Sequence, residues 1–108
     1  MTEVPRDVFA ALDRAEPELL DSLGGYGIHR IEFVVGFVKP YRIHVWLGTE
    51  SDAQREALTA SDPLLDEVRA IVDRAGLPRR EALVAGTVAQ SQETVDRDYE
   101  GSWFYALR

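Results

Sequence analysis

Few side chains in this 108-residue chain are of a type that does chemistry at neutral pH. Histidine is the usual acid, base or metal ligand there, and the chain has two, His29 and His44. Both lie in the stretch from Ile28 to Leu47, where apolar residues recur with the two-residue period of a strand. His44 shares its parity with Arg42 and Trp46, whereas His29 falls on the parity of Ile31 and Phe33, so the two imidazoles are expected on opposite faces. No HxxxH, HExxH or paired-carboxylate spacing surrounds either histidine, so neither has the local pattern of a zinc site. Cysteine is absent, which excludes a disulfide, a thiolate metal site and a cysteine nucleophile. Ser22, Ser51, Ser61, Ser91 and Ser102 sit in cap, turn or polar-strand contexts, and no G-x-S-x-G elbow occurs. Neither a catalytic set nor a cofactor is therefore expected.

Acidic residues form the densest local cluster, Glu93, Asp96, Asp98 and Glu100. Asp96, Asp98 and Glu100 alternate, so an extended chain would place them on one side of a hairpin tip. There they would gather a divalent cation or the arginines of a basic partner. The ligand series and central glycine of a helix-loop-helix calcium loop are missing. The plain expectation is a solvated hairpin tip; the functional one is a docking site for a basic partner at Asp96, Asp98 and Glu100, without a metal.

Twelve basic residues against 19 acidic ones give a net charge of −7, which repels phosphate backbones and anionic membranes. Gly24-Gly25-Tyr26-Gly27 leads from a helical pattern into a strand, the reverse of a phosphate-cradling loop. The first residues carry acid where a secretory leader carries positive charge, and nothing approaches the roughly 20 apolar residues of a membrane span. These features predict a cytoplasmic protein with neither nucleic acid nor membrane as partner.

The elements that must position these groups follow from periodicity. Pro5 to Leu23 reads as a helix with Val8, Leu12, Ala15, Leu19 and Leu23 on one face, kinked or restarted at Pro17 and ended by Gly24. Two strands follow, joined around Lys39-Pro40: Ile31, Phe33, Val35 and Phe37 share one parity, and Tyr41, Ile43, Val45 and Leu47 do so in the second. Ser51 with Gln54 has the form of a capping box. Ser61-Asp62-Pro63 is a second helix start, and Leu64, Leu65, Val68, Ile71, Val72 and Ala75 make an apolar stripe closed by Gly76 and Pro78. Leu83 to Val95 reads as a third strand, Asp98 to Gly101 as a turn, and Ser102 to Arg108 as a fourth strand, rich in aromatics on both parities.

The expected architecture is thus a single α+β domain over residues 1–108 with the order αββαββ. It is a two-layer sandwich, a four-stranded antiparallel sheet with two helices on one face. The strand order third, fourth, second, first matches a ferredoxin-like fold opened before its first helix; a plain meander is the alternative. Either leaves one sheet face uncovered, carrying Arg30, Glu32, Val34, Val38, Arg42, His44 and Trp46, with Trp103 and Tyr105 or the opposite aromatic set joining from the last strand. Arg42, His44, Trp46, Trp103 and Tyr105 are the candidate binding residues of that face, because aromatic area with polar handles marks contact surfaces. The functional expectation is a module that binds a protein partner or a second copy of itself. The alternative is a small-molecule-binding protein or enzyme using the face around His44, Arg42 and Trp46.

Overall fold

In α1 (Arg6–Leu23), Val8, Ala11, Leu12, Ala15, Leu19 and Leu23 are spaced by three or four residues and are all buried. The computed structural model describes residues 5–36, 38, 40–59, 63–78 and 81–107. Phe37, Lys39, Ser61 and Asp62, named above as parity and turn residues, lie outside them. Helix α1 runs unbroken through Pro17, where a kink or restart was expected. Gly24 keeps right-handed helical angles and opens a 3-10 turn, Gly24–Tyr26; the left-handed residue is Gly27, at φ 83°.

Strands β1 (Ile28–Val35) and β2 (Tyr41–Thr49) form the expected antiparallel hairpin, with Val35 opposite Ile43 and Phe33 opposite Val45. Tyr41, Ile43, Val45 and Leu47 are buried together beneath the helices. Thr49 ends β2, and the Ser51–Gln54 capping box starts the next helix at once: Ser51 Oγ accepts the Gln54 N–H (3.2 Å) and Gln54 Oε1 accepts the Ser51 N–H (3.1 Å). Helices α2 (Asp52–Thr59) and α3 (Pro63–Arg74) carry the chain across one face of the sheet. Leu58, Leu64, Val68, Ile71 and Val72 join the core under β2. Gly76, at φ 100°, closes the turn that follows α3, and Arg14 Nε of α1 donates to the Ala75 carbonyl at 2.9 Å, fastening the two helices.

Strand β3 (Ala82–Ser91) then lies parallel to β2, and among the described residues the sheet has three strands in the order β1-β2-β3. The molecule is α+β, but the four-stranded sheet is corrected. A helical crossover returns the chain at the end of β2 from which it can only run parallel, so neither the ferredoxin-like order nor the meander forms. The strand expected to reach Val95 stops at Ser91, whose hydroxyl accepts the Thr94 N–H at 3.1 Å and caps α4 (Gln92–Asp98). Residues 102–107 are likewise not a strand, and Arg108 lies outside the described residues. Ser102 Oγ accepts the Tyr105 N–H at 3.4 Å and caps a single helical turn, α5 (Trp103–Ala106). No helix among the described residues is long and apolar enough to cross a membrane.

Candidate functional site

With Tyr41, Ile43, Val45 and Leu47 turned to the helices, the pleat sends Arg42, His44 and Trp46 to the other side of β2. Arg42 and His44 are exposed and Trp46 is half-buried. The register sets their neighbours. Trp46 lies between Glu32 of β1 and Val88 of β3, His44 between Val34 and Gly86, and Arg42 beside Leu83, which is 40 % exposed. A Cβ at Gly86 would meet His44 Cδ2 at 3.7 Å, so the imidazole lies against bare backbone on that flank. Valines, leucine and tryptophan thus alternate with one arginine and one histidine across three strands.

One end of the face is roofed. Trp103 projects from α5 onto the sheet at Gly48, where an added Cβ would meet Trp103 Cη2 at 3.0 Å and Arg30 Cβ at 2.9 Å. Only a residue without a side chain lets the indole lie that close. The Arg30 guanidinium stacks over the indole ring, 4.9 Å from its centroid, and pairs with Glu32 at 2.8 Å. Trp103 Nε1 donates to Gln92 Oε1 at 2.8 Å. Arg42, His44, Trp46 and Trp103 therefore share the face on which the sequence placed them, although Trp103 reaches it from a helix and is nearly buried. Tyr105 stands 57 % exposed on α5, its ring edge-on to Phe104 at 5.8 Å.

Charge sets this face apart. Of the 19 acidic residues in the chain, the three strands hold one, Glu32, and Arg30 engages it. Arg42 is left as the surplus charge of a sheet surface in a molecule of net −7.

The acidic tip is corrected. Asp96 and Asp98 lie on α4, where residues two apart point nearly opposite ways, so they do not share a side. Asp96 accepts from Gln92 Nε2 at 2.8 Å, Asp98 from Arg97 Nε at 3.3 Å, and Glu100 follows in a left-handed conformation at φ 54°. The alternation that recommended a docking edge exists only in an extended chain. His29 sits at a bulge in β1, which turns it out to Glu50 at 3.2 Å instead of along the Ile31–Phe33 parity. Among the described residues no group of three or more histidines and carboxylates could hold a metal.

A polar cluster that the sequence did not announce ties the C-terminal ends of β2 and β3. Asp52 accepts from the Ser91 hydroxyl, from Thr94 Oγ1 at 2.6 Å and from Arg97 Nη1 at 3.2 Å. Glu93 of α4 accepts the Asp52 N–H at 2.9 Å, and the Glu50 carbonyl accepts the Glu93 N–H at 3.1 Å, so the starts of α2 and α4 are tied together. Ser91 is fully buried, gives its proton to Asp52 and accepts the Thr94 amide, and no histidine joins the cluster, so the group is a clamp and not a nucleophile with its base. The signal was available in part, since Ser91-x-x-Thr94 has helix-cap form, but Asp52 lies 39 residues away in sequence.

The Ser91 and Thr94 hydroxyls, with Arg97 beside them, hold the Asp52 carboxyl down at about 2, against an ordinary value near 3.8. A depressed folded-state pKa stabilises the fold fully above the unfolded value and loses that contribution as pH falls through the folded one. The wild type should therefore lose stability between about pH 4 and pH 2. Asp52→Asn should flatten that part of the curve in urea titrations across the range; an unchanged slope would show that Asp52 is not held by the clamp.

No family model, curated protein or solved structure matches the chain.

Proposed function

We propose that the protein works by binding another protein through the open face of its sheet, with Arg42, His44 and Trp46 at the centre of contact. The observation that carries this reading is the side-chain content of a sheet surface that the helices leave uncovered. Val34, Trp46, Leu83 and Val88 supply apolar area, Arg42 and His44 supply donors, and acidic residues are confined elsewhere apart from the paired Glu32. Tryptophan and arginine are the side chains that most often dominate binding energy at interfaces. The partner that fits is an acidic surface with apolar residues at its centre, since it meets the least acidic part of a molecule that otherwise repels it.

The test is affinity capture from the native host's lysate with the wild type, Trp46→Ala and Arg42→Glu in parallel, each variant first shown to be folded by its thermal melt. Trp46→Ala should abolish capture of the specific partner, and Arg42→Glu should weaken it while removing most of its salt dependence. If both variants retain the same partner as the wild type, the face is not the binding surface.

A further inference from the structure

We propose that β3 is a second docking element and that its partner is the β3 of another copy of this chain, the two strands pairing antiparallel about Val88 to join both sheets into one of six strands. A sheet ordered β1-β2-β3 has two outer edges, and they are unlike. β1 carries His29, Arg30 and Glu32 and a bulge at His29, the devices that keep an edge from pairing. β3 contains no charged residue along its whole length.

Among the described residues, side chains close that edge at two points. Arg69 Nε donates to the Val84 carbonyl at 3.1 Å, and Gln90 Oε1 accepts the Ser91 N–H at 3.0 Å. Both backbone groups lie on the side away from β2. The Glu81 carbonyl accepts the Tyr41 N–H at 2.8 Å, and strand alternation carries Val84 to the opposite side. Beyond the shift in register after Val84, the Gln90 carbonyl meets the Thr49 hydroxyl of β2 at 3.4 Å, so Ser91 turns outward, and Thr87 and Ala89 turn outward with it. No side chain among the described residues bonds the backbone of Thr87 or Ala89. Their side chains are also only half-buried, although they register with Val45 and Leu47, which are fully buried.

The stretch is self-complementary. Directly opposed residues of an antiparallel pair share a face, so a two-fold axis must pass through a residue and not between two. Centred on Val88, Thr87 of each copy faces Ala89 of the other as a hydrogen-bonded pair, Val88 meets Val88, and only residues between the two closed points are used. Centred on Thr87, the seam would engage Ala85, which lies in the bulge. The small, uncharged side chains of β3 offer no pocket or charge to select a foreign strand, so recognition rests on backbone bonds and on symmetry. They also place no like charges at the seam between two molecules of net −7. The seam is short and the molecules repel, so the dimer forms at high concentration and is favoured by salt.

The experiment is sedimentation equilibrium of the full chain from micromolar to millimolar concentration at low and high salt, with Val88→Lys and Trp46→Ala beside the wild type, and amide hydrogen exchange of the wild type at both concentration limits. The wild type should dimerise at the upper limit, more so in high salt. Val88→Lys, which sets two ammonium groups opposite each other on the axis, should lower the association constant by roughly fivefold or more. Trp46→Ala should leave it unchanged, which separates this edge from the open face. Exchange at Thr87 and Ala89 should slow as concentration rises, while Val88, whose amide faces β2, should not change. A wild type that stays monomeric throughout overturns the proposal, and so does a dimer in which exchange at Thr87 and Ala89 is independent of concentration.

Discussion

Trp103→Ala is expected to cost about 3 kcal/mol of folding stability, at the lower end of the cost of deleting a buried tryptophan. The indole is only 6 % exposed, but it belongs to a small cluster with Val95 and Ala106 at the margin of the sheet, where water can enter the space it leaves. Its loss also removes the partner of Gln92 Oε1 and the ring beneath Arg30. Gly48→Val should undock the same segment while keeping the tryptophan, because the new side chain would contend with both Arg30 Cβ and the indole edge; overpacking of this kind costs about 1–3 kcal/mol. Urea denaturation gives both energies, and near-ultraviolet circular dichroism reports the freed indole. If Trp103→Ala unfolds at the wild-type midpoint, α5 does not hold the end of the sheet.

Pro17→Ala should stabilise the protein by about 2 kcal/mol, a gain set by two opposing effects. A proline inside a helix costs about 3 kcal/mol relative to alanine, through the missing N–H and the clash with the preceding turn. Proline also stiffens the unfolded chain, and releasing that restraint returns about 0.4–1 kcal/mol to the unfolded state. Pro17 is exposed on a helix that is otherwise unbroken, and the buried face of α1 runs past it on Ala15 and Leu19, so no packing is lost. The expected rise in melting temperature is on the order of 10 °C for a domain of this size. A lower melting temperature would mean that the helix depends on the ring.

The hairpin, the capping box and the stripe of α3 were legible because each is written over a few consecutive residues. Parity alone placed Arg42, His44 and Trp46 on one surface, and the buried Tyr41, Ile43, Val45 and Leu47 put that surface opposite the helices. The C-terminal third was not legible in the same way. Valine, alanine and threonine from Ala82 to Ala89 mark a strand without indicating its direction, and the bulge near Ala85 breaks the alternation that would have assigned its faces. The aromatic run from Trp103 has strand composition, yet the Ser102 hydroxyl and the space above Gly48 make a helical turn the better solution. The Asp52 clamp depends on partners brought together by the crossover, and no local pattern encodes it.

The central claim is that the helices cover one side of the sheet and leave the Trp46 side open. Relaxation of the methyl protons by a soluble, uncharged paramagnetic agent tests it most directly in the free monomeric protein at low concentration. Val34 and Val88 should relax strongly while Ile43, Val45 and Leu47 are shielded; equal shielding of the two sets, or the reverse order, would contradict it.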